Sequence, residues 1–511
     1  MSVNSRTAKS LRNARAALLF YFLNLLLQFF SRKIFLDYLG SELLGLNITA
    51  QNLLGFLNLA ELGIGSAVAY NLYKPLFEGN RQTINEIVSI QGWLYRRVAY
   101  VVLAGACVLM FFFPWIFAKA QVSLGYAYGS FAVLLVSSLL GYFVNYRQIV
   151  LAADQQQYRI TYSTQSIRII KVILQILAIR FLSHGYVWWL VLELLMAVLS
   201  SYALDRCIRK VYPWLRTVTN RGAELQKRYP GIITKTKQIF FHQMATYVLT
   251  QTSPLVIYAY ASLTLVTVYG NYLLIINGIT QLMDALINGV GAGVGNLVAE
   301  GDKQRVKSVF WELTTLRMWL ASVACFGIYS LGHSFITLWL GAEYVFPQSA
   351  YILLMGITFI QLSRTNEIFI RAYGFFQDIW APVIEAVLNL GLSVILGYYY
   401  GLTGILSGVL ISLLVMVVGW KPYFLYRYGF QESVWEYAWR YGKLLVGIGV
   451  AYWVSRYLID ACSFLSYINY GRWLLSALVI MTIYVVVSIF IFYLLDRSSQ
   501  DFFRRAVKTI R

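Results

Sequence analysis

Charge is what this chain lacks. Asp, Glu, Lys and Arg make up 13% of its 511 residues, while 59% are hydrophobic, and the mean hydropathy is +0.62. A soluble globule of this length needs more charge than that to cover its surface. Cysteine is also scarce. Cys107, Cys207, Cys325 and Cys462 are spread over two apolar runs, one inner loop and one outer loop. No framework disulfide and no metal-ligand spacing can be drawn from them. The chain has no Gly-x-x-x-x-Gly-Lys-Ser/Thr phosphate loop, which excludes ATP hydrolysis by that route. It also lacks long outer loops that could carry the catalytic groups of a polysaccharide polymerase or ligase. The expected protein is not an enzyme and needs no cofactor and no resident metal.

What the chain has is apolar runs of bilayer length, about 20 residues each. They fall at roughly 14–37, 43–70, 93–117, 127–150, 160–181, 186–205, 238–260, 264–298, 314–340, 347–371, 379–400, 404–425, 438–459 and 473–495. The expected fold is an all-α integral membrane protein with about 14 transmembrane helices. The run after Arg15 is followed by Ser31-Arg32-Lys33 and not by a small-residue cleavage site, so it reads as a retained first helix.

Basic residues sort sharply along this ladder. With the first span starting inside, 34 of the 42 Lys and Arg lie in cytoplasmic segments or at the cytoplasmic ends of spans. Lys119, Arg180, Arg456 and Arg472 are in outer loops or at the outer ends of spans, and Arg32, Lys33, Arg168 and Lys171 are counted as within spans. The positive-inside rule then predicts a bacterial cytoplasmic (inner) membrane protein with both termini in the cytoplasm. One miscounted span would invert every later loop and erase the asymmetry. The net charge of +20 is therefore juxtamembrane, where each cation gains roughly 1 kcal/mol from anionic lipid. Membrane lipids, and not nucleic acid, are the implied partners.

Four regions follow: an N-terminal six-helix bundle over 1–205, a basic cytoplasmic linker over 206–237, a C-terminal six-helix bundle over 238–425, and helices 13–14 with a basic tail over 426–511. An internal repeat supports the division. Glu78-Gly79-Asn80-Arg81-Gln82 matches Glu300-Gly301-Asp302-Lys303-Gln304 at an offset of 222. Asn58-Leu59-Ala60-Glu61 matches Gln281-Leu282-Met283-Asp284 at 223, and Gln165 matches Glu385 at 220. Six spans separate the copies, so the halves are parallel pseudo-repeats, and such transporters bind cargo between bundles near the midplane.

Ionisable groups in a spanning helix are costly and face a cavity or a partner. Helical spacing puts several on shared faces. Tyr21, Asn24, Gln28 and Arg32 form one stripe, and Asn47, Gln51, Asn58, Glu61 and Gly65 another. Asn277, Gln281, Asp284 and Asn288 repeat the second stripe, followed by Gly291 and Gly295. Thr164, Arg168, Lys171 and Gln175 share a face, as do Gln361, Arg364 and Arg371. Each has a plainer reading. Arg32, Lys33, Arg168 and Lys171 are placed to snorkel to headgroups, and Arg364 and Arg371 to anchor a cytoplasmic end. Glu61 and Asp284 lie deeper and are pseudo-equivalent; the alternative for them is a structural salt bridge or hydrogen bond. Glu193 and Glu385 are weaker candidates of the same kind. Gly289, Gly291, Gly293 and Gly295 permit close helix contact or a hinge, and Pro254 is expected to bend its helix.

Some segments resemble a known family. These are Arg32-Lys33-Ile34-Phe35-Leu36-Asp37-Tyr38-Leu39-Gly40, Leu44-Gly45-Leu46-Asn47, Glu61-Leu62-Gly63-Ile64-Gly65-Ser66-Ala67 and Pro382-Val383-Ile384-Glu385-Ala386-Val387-Leu388-Asn389. Together with the layout, they resemble the polysaccharide-transporter branch of the multidrug/oligosaccharidyl-lipid/polysaccharide (MOP) flippase superfamily. The resemblance implies a flippase that moves undecaprenyl-diphosphate-linked oligosaccharides to the outer leaflet for O-antigen, capsule or exopolysaccharide assembly. It also implies polysaccharide polymerase machinery as a partner, and the likeness in helix number to the fourteen-helix peptidoglycan-precursor flippases implies a lipid-tail role for helices 13 and 14. The residues fit such a cargo. Arg32, Arg168, Lys171 and Arg364 can meet a diphosphate, and Asn24, Gln28, Asn47, Gln51 and Asn58 can meet sugars. Glu61 and Asp284 are the candidates for coupling to an ion gradient, since a carboxyl group in low dielectric can exchange protons near neutrality. The competing readings are a multidrug or cation exporter of the same superfamily, a peptidoglycan-precursor flippase, a membrane enzyme, and a non-transporting scaffold. Cavity arginines argue against the first, the missing outer loops against the enzyme, and intramembrane polar stripes against the scaffold.

Overall fold

A computed structural model describes residues 3–287, 294–295, 297–298, 300–375, 380–462, 467–495 and 500. The protein is an all-α integral membrane protein, and no strand occurs among the described residues. The main helices are α1 Val3–Leu57, α2 Ile64–Glu78, α3 Arg81–Ile116, α4 Leu124–Phe143, α5 Gln157–Phe181, α6 Gly185–Val211, α7 Pro230–Gln251 and α8 Ser253–Tyr260. They continue as α9 Leu263–Ile287, α10 Lys303–Trp339, α11 Gln348–Leu362, α12 Asn366–Ala372, α13 Trp380–Leu413, α14 Val434–Asp460 and α15 Tyr470–Leu495.

Eight helical runs among the described residues are long and apolar enough to cross a bilayer, and the two longest hold 50 and 51 residues. At about 1.5 Å per residue either is more than twice the roughly 30 Å hydrocarbon core. Each breaks at a glycine in the left-handed region, Gly40 (φ 81°) and Gly401 (φ 57°), where a side chain would be strained. At Gly401 the chain doubles back. The Ser393 hydroxyl donates to Ile405 O at 3.1 Å, and the Asn389 amide to the Ser412 hydroxyl at 3.3 Å.

The repeated sequence has repeated geometry. Gly79 (φ 70°) and Gly301 (φ 81°) turn the chain, and the next residue caps the following helix. Asn80 accepts the Thr83 N–H at 3.0 Å, and Asp302 the Arg305 N–H at 3.1 Å. Each side-chain oxygen satisfies one of the donors a helix start leaves open. Pro254 sits in the first turn of α8, after a break from α7 at Thr252. Proline is tolerated there because its missing N–H would have no helical acceptor.

Two compact units divide the chain, Met1–Thr267 and Val268–Arg511. In the first, the basic segment after α6 is folded against α3. The Val218 N–H donates to the Ser89 hydroxyl at 2.9 Å and the Arg216 N–H to Asn85 Oδ1 at 3.0 Å. Arg96 reaches Asn220 at 3.0 Å, and the Tyr229 hydroxyl reaches Glu86 at 2.8 Å. In the second unit, an aromatic core joins α10, α12 and the chain before α14. Phe310 lies 5.1 Å from Phe369 and 5.3 Å from Phe430, with Trp311, Tyr426 and Tyr437 buried around it. The α14–α15 pair packs on α10 through Phe326 and Tyr484, whose rings stack at 3.9 Å.

Candidate functional site

Polar groups gather where helices are interrupted. In the first unit a tight turn, Asn58–Glu61, separates α1 from α2. Asn58 Oδ1 accepts from the Ser138 hydroxyl at 3.1 Å and from the Tyr142 hydroxyl at 2.9 Å. Tyr142 also lies near the half-buried Glu61. Tyr95 meets the Tyr142 ring edge-on at 5.5 Å. One turn brings an amide, a carboxyl group and two phenols together.

The other predicted residues of this unit are held separately. Asn47 is 3% exposed; its oxygen accepts from the Ser130 and Tyr186 hydroxyls, while its amide nitrogen has no partner among the described residues. Asn24 donates to Phe20 O at 2.7 Å and to Gln165 Oε1 at 3.1 Å. Gln28 and Arg32 are half-buried on α1, and Gln51 is exposed. Lys171 and Arg168, predicted to share a face, differ in environment. Arg168 is exposed. Lys171 pairs with Glu193 of α6 at 2.6 Å, and Gln175 donates to the other carboxylate oxygen at 3.0 Å.

In the second unit the interruption is Ser363–Thr365, between α11 and α12. Arg364 faces two carboxylates, Glu367 and Glu385, each at 3.5 Å, and its Nε is buried without a partner among the described residues. Glu385, from α13, is 2% exposed. Below the break lies Arg317 of α10, 8% exposed. Its Nε donates to Leu362 O and a terminal nitrogen to Arg364 O, both at 3.1 Å. Those carbonyls sit where helical geometry stops, and the guanidinium supplies the donors the helix no longer does. Among the described residues Arg317 has no ion pair. Asp284 and Glu367 act on it only from longer range. Arg371 and Lys421 complete the cluster, which holds one more cation than carboxylates.

Arg364 and Glu385 are therefore neighbours, as are Glu61 and Asn58, and Lys171 and Glu193. Asp284 is exposed on α9, unlike Glu61 in its turn. Asn288, Gly289, Gly291 and Gly293 lie outside the described residues. The sequence reading missed Arg317 because it counted that residue with the cytoplasmic cations. The missed signal was its position inside the apolar run 314–340. No group of three metal-ligating side chains occurs among the described residues.

No protein-family model matches the chain, and no curated protein matches it in sequence. Solved structures do match in fold. One is the inward-facing conformation of a multidrug resistance MATE family transporter of the MOP superfamily. It has a TM-score of 0.59 and 15% identity and covers 81% of this chain and 98% of its own. Another is the lipid II flippase MurJ in an inward closed conformation, with a TM-score of 0.59 and 15% identity, covering 94% of this chain and 98% of its own. The chain thus shares its fold with these two solved structures, one a transporter and the other a flippase.

Proposed function

We propose that the chain is a flippase that carries undecaprenyl-diphosphate-linked oligosaccharide across the cytoplasmic membrane. The observation that carries this reading is the cation surplus inside the second unit, above all Arg317, buried and, among the described residues, without an ion pair. A buried charge without a counter-charge is costly, and an anionic cargo relieves that cost. A chamber for cationic drugs would call for the opposite sign. The likeness to the lipid II flippase supports a lipid-linked cargo and takes in more of this chain than the likeness to the multidrug transporter. Arg32 and Arg364 are the proposed diphosphate contacts. Asn24, Gln28, Asn47, Gln51 and Asn58 are the sugar-side candidates, Arg168 and Lys171 the further cations, and Glu61 and Asp284 the coupling carboxylates. Coupling to an ion gradient suits the scale of the driving force, since one charge crossing 100 mV is worth roughly 2.3 kcal/mol.

The test is leaflet exposure of a fluorescent undecaprenyl-diphosphate oligosaccharide in proteoliposomes. Wild type is expected to move it, Arg32→Ala to move it at least about tenfold more slowly, and Glu61→Gln/Asp284→Asn to lose the response to a proton gradient. Wild-type protein that leaves this lipid in place yet exports cationic dyes sinks the reading.

A further inference from the structure

We infer that Arg317 and Arg364 form a binding site for a phosphate-bearing group at the break Ser363–Thr365, and that Glu385 and Glu367 mask it when it is empty. The inference rests on the reading of the cargo as a diphosphate and places its anchor within the second unit.

Arg317 supplies the first half of the argument. Two of its five N–H groups are spent on the carbonyls of Leu362 and Arg364, which fixes the plane of the guanidinium. Its other terminal nitrogen makes no bond among the described residues. A guanidinium serving only to close a broken helix needs no more than the two carbonyls. At 8% exposure, with Asp284 and Glu367 acting on it only from longer range, the rest of its charge is costly to hold, and an anion seated there lowers that cost.

Arg364 supplies the second half. Its contacts to Glu367 and Glu385 are both 3.5 Å, well beyond the roughly 2.7–2.9 Å of a strong charge-assisted bond. Its Nε is buried and unpartnered among the described residues, so the fork is occupied but not satisfied. The two arginines are tied to one point of the backbone, because Arg317 holds the carbonyl of Arg364 itself. Two planar forks so placed suit a tetrahedral oxyanion, whose several oxygens can take paired N–H donors. An incoming phosphate displaces Glu385 from Arg364, and the net positive charge of the cluster falls on binding. Such phosphate can come from the polyprenyl carrier or from a bilayer headgroup.

The experiment uses the full chain in nanodiscs. Native mass spectrometry measures binding of undecaprenyl diphosphate, neutral undecaprenol and phosphatidylglycerol, with inorganic pyrophosphate as competitor. Undecaprenyl diphosphate is expected to bind more tightly than undecaprenol, and Arg364→Gln to weaken it roughly tenfold or more, the loss expected for charged hydrogen bonds. Glu385→Gln is expected to strengthen binding, because it removes the mask; a purely structural role for the pair predicts no gain. Arg317→Lys should weaken binding while keeping the charge. Pyrophosphate competition supports the carrier as source, and Arg364-dependent phosphatidylglycerol binding of equal strength supports the headgroup. Unchanged affinity in Arg364→Gln, or no gain in Glu385→Gln, overturns the site. Binding with this pattern but no translocation would retire the flippase reading and leave the site standing.

Discussion

The two units each interrupt a helix at a polar cluster, and they satisfy the exposed groups differently. At Asn58–Glu61 neutral donors, Ser138 and Tyr142, converge on a neutral acceptor, with a single carboxyl group beside them. At Ser363–Thr365 the donors are guanidinium groups, and the carboxylates around them are one short of the cations. The first cluster is built of neutral hydrogen bonds to a side-chain amide. In the second a buried cation closes the backbone break, and the proposed anion would offset its charge.

The sharpest test of this contrast is Arg364→Gln, which strands Glu385 at 2% exposure. Breaking a buried pair from one side costs about 3–5 kcal/mol, read as a fall in the detergent-solubilised melting temperature. Arg364→Gln/Glu385→Gln should recover most of it. Should Glu61→Gln in the first unit cost as much as the single variant, the contrast fails. Next comes Arg317→Gln, expected to cost about 1.5–3 kcal/mol through its two charged hydrogen bonds; added pyrophosphate should stabilise wild type but not this variant. Tyr142→Phe is a smaller perturbation, about 1 kcal/mol, because Asn58 keeps Ser138; it should not alter diphosphate binding.

The smallest effect is expected at Lys307, outside the spans. Partial burial lowers its pKa, but hydrogen bonds to Glu432 and Glu436, at 2.5 and 2.7 Å, outweigh that and raise it above 10.5. A raised cation pKa means its contribution is fully present below the unfolded value and is lost as pH rises through the folded one. Wild type should therefore exceed Lys307→Met in melting temperature at pH 8 and lose that margin above about pH 10.5. A margin that persists at high pH would assign the effect to packing.

Some of this architecture was legible in the residues. Glu78-Gly79-Asn80 and Glu300-Gly301-Asp302 foretold matching turns because a helix start is decided by a left-handed glycine and a capping side chain within a few positions. The pairing of Arg364 with Glu385 was not legible. Arg364 stands near the end of an apolar run, where an anchoring role reads equally well. Arg317 hid for the same reason, and the Asn58–Glu61 turn because nothing in Asn-Leu-Ala-Glu stops a helix.

The sequence alone determined the class of environment and the helical content, since transfer of apolar side chains and the closing of backbone hydrogen bonds are local and additive along the chain. The tertiary structure decided which polar groups are satisfied. Arg317 meets carbonyls 45 and 47 positions away, and Lys171 meets a carboxylate 22 away. Spacing along one helix puts residues on a face, but only the helix opposite settles whether that face meets a counter-ion, a hydroxyl or a cation left waiting for its anion.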